Sequence, residues 1–275
     1  MGTIRPMVAS ALVMGLMIAQ PVAAQTASSI VERMLGEYER RIASVENYTV
    51  VQSTMGFETV SYFEKEMLNG RPVFQLRRSS TAGIEANTEG AGVDDLYLMG
   101  DDFGRLSQYI GRDKVEGFDV LVLDVPDLSE VGFGRNVTPD ADFTPKRGRI
   151  MLDAESYVPR RFEFEGEMKT EQGVHEVTTS VVLGDYREAE GLLLPYRTTV
   201  SIEGLGAAID PDMRAQFEEM QRELANMPEA QRRMVESMMS AQIEQFRSMM
   251  DGGGEAMTVE LTVNEVRVNA GPPRR

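Results

Sequence analysis

The sequence contains no cysteine and only one histidine, His175. Without cysteine the chain has neither a disulfide bond nor a thiol that could carry a lipid anchor, so a packed core must hold it together. No sequence pattern ties His175 to a nucleophile, and paired-histidine zinc motifs and glycine-rich phosphate loops are missing. These absences argue against an enzyme, and we expect no catalytic residue and no cofactor.

Metal binding also has weak support in the sequence. Four aspartates are grouped in one short stretch: Asp94, Asp95, Asp101 and Asp102. They lack the spacing and the terminal glutamate of a calcium loop, and we interpret them as helix caps and solvated charge. The thioethers of Met234, Met238 and Met239 are possible soft ligands for Cu(I), but their spacing is also that of a helix face. We therefore predict no metal site.

Long hydrophobic runs are confined to the N-terminus. Residues 1–24 combine Arg5, an apolar run over residues 7–19 and the small residues Val22, Ala23 and Ala24 before Gln25, which is the pattern of a cleaved signal peptide. The run is too short to favour a membrane span, and no second one follows. We expect an exported, periplasmic protein of a Gram-negative type of envelope, without stable membrane insertion, whose single domain covers residues 25–275.

Basic residues are fewer than acidic ones. The formal net charge is −16, which opposes binding to nucleic acid or to an anionic membrane surface. The same acidity is equally consistent with a role in solubility alone.

The first element of the mature chain is predicted to be an amphipathic helix over residues 29–44. Ser29 and Glu32 form a possible capping box. Apolar residues recur every four positions after it: Ile30, Met34, Tyr38 and Ile42. One side of this helix must therefore lie on an apolar surface.

Most of the remaining sequence alternates with the period of β-strands. Strands are predicted over residues 48–54, 59–67, 73–78, 118–125, 149–153, 160–168, 177–183, 196–202 and 257–268. Residues 82–92 and 127–146 are predicted to be loops, and residues 94–110 helical or mixed. Val266 and Val268 fall out of phase with the alternation before them, which predicts a bulge near Asn264 and Glu265. The element order indicates an α+β protein with a large antiparallel sheet of about nine or ten strands.

One face of this sheet is predicted to be wet and the other apolar. Residues 160–168 alternate most clearly, with Glu163, Glu165 and Glu167 opposite Phe162 and Phe164. Across the strands, the apolar side chains expected on the covered face are Tyr62, Phe74, Leu76, Phe162, Phe164, Val181 and Val200.

A methionine-rich segment interrupts the strand pattern at about residues 207–254. It is predicted to form a helical hairpin, with helices over residues 212–226 and 228–250 that meet at Pro228. Its apolar stripe includes Met213, Phe217, Met220, Leu224, Met227, Met234 and Met238. Such a stripe is first of all the buried face of a helix, but flexible methionine side chains also suit apolar ligands of varying shape.

Several short segments give the chain a family resemblance. They are Asn47-Tyr48-Thr49, Val115-Glu116-Gly117-Phe118, Leu152-Asp153, Tyr157-Val158-Pro159, Asp185-Tyr186 and Gly191-Leu192-Leu193-Leu194-Pro195-Tyr196. With the amphipathic helix, they resemble the periplasmic LolA/LolB-like superfamily of lipoprotein-sorting carriers. The resemblance implies a curved, unclosed antiparallel barrel whose apolar concave face is covered by helices and receives acyl chains. The methionine-rich hairpin is a departure from that pattern.

Two functions are therefore considered. The first is a periplasmic carrier or chaperone, without chemistry, that binds acyl chains of lipids or lipoproteins on the apolar face under a helical cover. That cover would comprise Met34 and Tyr38 of the first helix together with the hairpin stripe. The alternative is an interaction or sensor module in which the hairpin docks another envelope protein.

Overall fold

A computed structural model of the protein describes residues 25–54, 56–81, 84–86, 95–128, 143–170, 173–204 and 256–273, with isolated positions between 215 and 229. The predicted signal peptide and most of the predicted hairpin lie outside the described residues, among them Met213, Phe217, Met220, Met234, Met238 and Met239. Leu224 and Asn226 are helical, and the chain bends at Met227, beside the predicted break at Pro228.

The first helix, α1, spans Ala27–Arg41, and its start differs from the prediction. Thr26 is the N-cap residue: its hydroxyl accepts the Ser29 N–H at 3.2 Å, and the Ser29 hydroxyl accepts the Thr26 N–H at 3.1 Å. Ser29 therefore takes the place that a glutamate fills in the usual capping box, and the predicted pair with Glu32 was wrong. Met34 and Tyr38 are buried as the periodicity required.

Eleven strands form one antiparallel sheet in the part of the chain that the structure describes. They are β1 (Asn47–Thr54), β2 (Phe57–Leu68), β3 (Arg71–Thr81), β4 (Ile84–Ala86), β5 (Gln108–Val115), β6 (Phe118–Val125), β7 (Phe143–Asp153), β8 (Pro159–Thr170), β9 (Gly173–Ala189), β10 (Leu192–Glu203) and β11 (Met257–Val268). Their order in the sheet is β4-β3-β2-β1-β11-β10-β9-β8-β7-β6-β5.

The sheet is curved and open, as predicted. It does not close into a barrel, because β4 and β5 are not paired with each other and form its two edges. The second helix, α2 (Asp95–Leu106), lies between these two edge strands in the sequence and packs against α1. Its helical geometry breaks at Gly100, whose φ of 52° and ψ of −132° suit glycine.

The strands differ from the sequence prediction in several places. Two strands, β4 and β5, were not predicted, and others are longer than predicted; β9, for example, spans Gly173–Ala189 rather than residues 177–183. β4 occupies residues that were predicted to be a loop, and β5 begins at Gln108, inside the stretch predicted to be helical or mixed. β7 begins at Phe143, inside the predicted loop 127–146. Pro145 hid this start, because proline has no N–H for the ladder; the register with β8 shifts between Pro145 and Arg147.

The bulge predicted in the last strand lies at Asn264. Val51 pairs with Glu265 and Gln52 pairs with Val263, so Asn264 is the extra residue. Its consequence differs from the simple alternation, which would place Val266 on the opposite face. The bulge instead resets the phase, and Val263 and Val266 pack against the same core.

The main core lies between α1, α2 and the concave face of the sheet. A row of apolar side chains crosses five strands in register on this face: Ile150, Phe162, Val181, Val200 and Val259. β6 is covered on both faces, as its continuous apolar sequence predicted, since a second cluster forms around its other side: Val115, Val120, Val122 and Met151, with Val182 packed against them.

Candidate functional site

A cavity of about 350 Å³ lies between α1 and the concave face of the sheet. Its walls come from α1, β1, β2, β3, β10 and β11, with contributions from Tyr97 of α2, from Tyr186 of β9, and from Val158 and Pro159 where β8 begins. Six apolar side chains from the central strands illustrate its character: Val50, Phe63, Phe74, Leu76, Leu261 and Val263. We call this cavity the groove.

Strand register explains why these side chains meet. On β1 the residues facing the groove alternate, with Tyr48 and Val50 facing it. Tyr48 pairs with Phe63 of β2, and Phe63 pairs with Leu76 of β3, so one apolar row crosses three strands. The rings of Tyr48 and Phe63 stack with centroids 4.7 Å apart, and Phe74 meets Tyr48 edge-on at 4.8 Å. This aromatic cluster fixes the shape of one wall.

The two helices are joined closely where they cover the sheet. The Ser28 hydroxyl donates to the Gly104 carbonyl at 3.2 Å. A Cβ at Gly104 would lie 3.2 Å from the Ser28 Cα and 3.3 Å from the Val31 Cβ, so only glycine allows this approach without a shift. Tyr38 and Tyr97 stack at a centroid distance of 3.7 Å, and both line the groove. The roof of the groove is therefore a closely packed pair of helices.

Polar groups also line the groove where α1 ends. Arg41, in the last turn of α1, is the one charged residue among the described residues that line it. Its guanidinium donates to the Ser156 carbonyl and lies 3.6 Å from a carboxylate oxygen of Glu37. Tyr186 also lines this part of the groove, and its hydroxyl donates to the Pro159 carbonyl. Burial raises the pKa of Tyr186 well above its ordinary value, so this hydroxyl stays protonated.

A buried ion pair between Arg160 and Asp153 lies next to Tyr186 in this part of the groove. Arg160 donates to Asp153 from two guanidinium nitrogens, at 3.1 and 3.0 Å, and both residues are buried. The guanidinium carbon of Arg160 lies 3.8 Å from the ring centroid of Phe118 and 4.9 Å from that of Tyr186. Burial alone would raise the pKa of Asp153, but hydrogen bonds from Ser156 and Arg160 hold it below its ordinary value. From the sequence, Asp153 was predicted only as the end of a strand and as part of a segment that carries the family resemblance.

The predicted site residues are brought together only in part. Phe74, Leu76 and Tyr38 line the groove. Met34 is buried in the main core and does not line the groove. Four residues of the predicted face lie on the same apolar side of the sheet, beyond the groove: Phe162, Phe164, Val181 and Val200. The rings of Phe162 and Phe164 stack at 6.0 Å.

Tyr62 is placed differently from its prediction. Its neighbours Ser61 and Phe63 line the groove, and strand side chains alternate between faces, so Tyr62 lies on the other face. There its hydroxyl donates to Glu64 at 2.8 Å, and burial together with this carboxylate raises its pKa to about 12. The alternation of 59–67 alone did not reveal which of its two faces is covered.

Several groove residues were missed by the sequence prediction. Arg41 was not among the predicted site residues, although it lies in the last turn of α1, where the helix meets the groove. The apolar run Leu192, Leu193 and Leu194 was noted only for its family resemblance, and all three line the groove. Leu261 and Val263 were recognised as strand residues, and their alternation was the available signal.

The opposite face of the sheet carries ion pairs. Arg147 and Arg149 both contact Asp124, with nitrogen–oxygen distances of 2.9 and 3.3 Å. Glu163 accepts from Arg161 at 2.8 Å. On the face that was predicted to be solvent-exposed, carboxylates thus form ion pairs with nearby arginines. This is the arrangement of a charged outer surface.

The remaining chemistry is sparse within the described part of the chain. His175 contacts the Thr170 hydroxyl at 3.1 Å in the β8–β9 hairpin. No group of three or more histidine, aspartate or glutamate side chains among the described residues is arranged to hold a metal ion. The described helices include none that is long and apolar enough to cross a membrane.

The geometry defines a class of protein: an open, curved antiparallel sheet whose concave face and helical roof enclose an apolar groove. No family model and no curated protein matches the chain.

Among solved structures, the chain is similar to a DUF1329 family protein from Desulfovibrio piger, with 10% identity, coverage of 90% of this chain and 93% of that one, and a TM-score of 0.40. It is also similar to a LolA superfamily protein from Nitrosomonas europaea, with 12% identity, coverage of 90% and 96%, and a TM-score of 0.32.

A third similar structure is the MucA/MucB complex of Pseudomonas aeruginosa, with 9% identity, coverage of 89% of this chain and 99% of that one, and a TM-score of 0.22. A protein of the superfamily that the sequence resembles is thus among the matches. Similarities at these TM-scores identify neither a ligand nor a partner, so the ligand has to be inferred from the groove itself.

Proposed function

We propose that this protein is a periplasmic carrier or chaperone that binds an acyl chain of a lipid or lipoprotein in the groove. The observation that carries the proposal is an apolar cavity of about 350 Å³ under a built helical roof. Cavities that bind small ligands span roughly 300–1,000 Å³ and are mostly apolar with a few polar groups. The groove has this size and this composition.

The lining residues favour binding over chemistry. The described residues around the groove include no histidine, aspartate, glutamate or lysine, and its hydroxyl groups belong to serine, threonine and tyrosine. A nucleophile in this setting would have no neighbouring base to activate it. We therefore propose that the ligand leaves the groove unchanged.

The driving force is the removal of apolar surface from water. Each buried methylene contributes about 0.8 kcal/mol, which corresponds to roughly a four-fold change in affinity. The loss of ligand freedom and the displacement of water from the groove oppose this gain. A chain of several methylenes is needed before binding becomes favourable, which suits a long acyl chain better than a small apolar metabolite.

A titration tests the proposal. The mature protein is delipidated and titrated with a fluorescent long-chain fatty acid, and saturable binding is expected. Leu261→Gln places an amide in the groove wall at nearly constant volume and should weaken binding. Ile110→Gln is the matched control, because Ile110 is 54% exposed and lies on the edge strand β5. Absence of saturable binding by the native chain would contradict the proposal.

The alternative function, a docking arm for another envelope protein, depends on residues 207–254. Most of these lie outside the described residues, so that alternative remains a prediction from the sequence. Deleting residues 207–254 and measuring both partner capture and fatty-acid binding distinguishes it from the carrier function.

A further inference from the structure

We infer that the groove selects amphiphiles with an anionic head group, and that Arg41 binds this head. The inference rests on the proposed acyl-binding function and adds the chemical class of the ligand. Its basis is a mostly buried arginine in the wall of an otherwise uncharged cavity.

Arg41 lies in largely apolar surroundings. Its side chain is only 17% exposed, and it is the one charged group among the described residues that line the groove. A cation in such surroundings has lost much of its hydration and gains from an anionic partner. A carboxylate or phosphate at the end of an acyl chain would supply that partner within the same cavity.

Arg41 already has two partners, Glu37 and the Ser156 carbonyl. Glu37 is its nearest acidic group, at 3.6 Å, but the same carboxylate is in closer contact with Arg40. One carboxylate is therefore shared by two guanidinium groups. The Ser156 carbonyl accepts one further hydrogen bond from Arg41. Because a guanidinium has five N–H donors, this leaves donors for a ligand.

The other acidic and basic groups nearby are committed elsewhere. Asp153 accepts from Arg160 and from the N–H groups of Glu155 and Ser156. Lys65 donates hydrogen bonds to the carbonyls at the end of α1. Its ammonium lies 3.4 Å from the Ile42 oxygen and 3.2 Å from the Ala43 oxygen. Arg41 is thus not required to neutralise either the ion pair or the helix end, and it is part of the groove lining.

Guanidinium groups bind carboxylates and phosphates through two parallel hydrogen bonds, and such bonds are about twice as strong as neutral ones. A hydrogen bond to a charged group contributes about 1.5–3 kcal/mol, so an anionic head should improve affinity by roughly ten-fold or more over a neutral one. A fatty acid and a phospholipid share this head-group chemistry.

The test compares probes that have the same acyl chain and different heads: a fatty acid, the corresponding alcohol and a lysophosphatidic acid. Each is used to displace a fluorescent fatty acid from the delipidated protein. We expect both anions to bind at least about ten-fold more tightly than the alcohol. The stronger of the two anions shows whether carboxylate or phosphate fits better. Equal affinity for the alcohol and the anions overturns the inference.

Variants locate the effect. Arg41→Gln should abolish the preference, so that the ratio of anion to alcohol affinity falls to about one. Arg41→Lys keeps the charge without the planar fork and should retain part of the preference. Arg105→Gln is the matched control, because Arg105 is 68% exposed, lies in the last turn of α2 and is not part of the groove lining. A preference for anions that survives Arg41→Gln overturns the role of Arg41.

The two failures are distinguishable. If no probe displaces the fluorescent acid and the acid itself does not bind, the proposed carrier function is wrong. If the alcohol binds as tightly as the anions, the groove is an acyl site and only the inference about the head group is wrong.

Discussion

Tyr38 of α1 and Tyr97 of α2 stack face to face, with ring centroids 3.7 Å apart and ring planes inclined by 11°. Both rings are nearly buried, at 8% and 7% exposure, and both form part of the groove wall. Because α2 lies in the sequence between the two edge strands of the sheet, this stack ties the connection between the edges to the first helix. The roof of the groove depends on it.

Removing one ring should loosen the roof. Truncating a buried aromatic ring costs about 3–5 kcal/mol, so Tyr97→Ala should lower the free energy of unfolding by about that amount and weaken fatty-acid binding. Tyr97→Phe keeps the stack and is the control, with binding close to that of the native chain. Urea unfolding and fluorescence titration measure the two effects. Intact stability in Tyr97→Ala would show that the stack does not hold the helices together.

The buried pair of Asp153 and Arg160 predicts a pH-dependent stability. Asp153→Asn leaves the guanidinium without its charged partner and should cost about 3–5 kcal/mol at neutral pH. The folded-state pKa of Asp153 is lower than the unfolded value of about 3.9. The stabilisation is therefore present above the unfolded pKa and is lost as the pH falls through the folded pKa.

The measurement is urea unfolding of both chains from neutral pH to below about pH 3, which lies under the unfolded pKa of aspartate. The advantage of the native chain over Asp153→Asn should shrink as the solution becomes acidic. A difference that stays constant over this range would mean that ionisation of Asp153 contributes nothing. Arg187→Gln is a useful comparison, since its pair with Asp185 is exposed and should contribute far less than the buried pair.

The bulge at Asn264 predicts the result of a deletion. Without this residue, Val266 and Val268 would shift phase and turn away from the core. Full burial of one valine is worth roughly 1.5–3 kcal/mol, so deletion of Asn264 should cost a few kcal/mol in the free energy of unfolding. Asn264→Ser keeps the chain length and should cost far less. Equal stability of the two variants would show that the bulge does not set the register.

Ligand length should change affinity in a regular way. With a fixed carboxylate head, each added methylene should tighten binding by roughly four-fold until the groove is filled, after which the gain should stop. Isothermal titration over a series of fatty acids measures the slope and its end point. A flat series would indicate that binding occurs at the surface of the protein. The variant Leu261→Gln should reduce the slope, while Ile110→Gln should leave it unchanged.

Much of the fold follows from local patterns. The four-residue spacing of Ile30 and Met34 predicts α1, and the shift of phase before Val266 predicts the bulge. Alternation cannot tell which face of a strand is covered when both carry apolar residues, and Tyr62 was misplaced for that reason. The start of β7 was missed because Pro145 resembles a loop residue while it lies within a strand.

The groove was harder to predict than the sheet. Its walls join α1 and β1–β3 to β10 and β11, and β11 lies between β1 and β10 although these strands are far apart in the sequence. Only this long-range pairing brings Leu194 and Val263 to the same cavity as Phe74. Arg41 was missed because it was grouped with the charged residues of the helix, although it follows Met34 by seven positions and Tyr38 by three and so shares their face.

The most direct test of the central claim is to locate a bound acyl chain. A fatty acid with a nitroxide spin label on its chain is added to the methyl-labelled protein, and paramagnetic broadening is measured by NMR. We expect the strongest broadening at the methyl groups of Val50, Leu261 and Val263, with Ile110 unaffected. Broadening confined to exposed residues such as Ile110 and Val174, with the groove methyl groups unchanged, would contradict an acyl-binding groove.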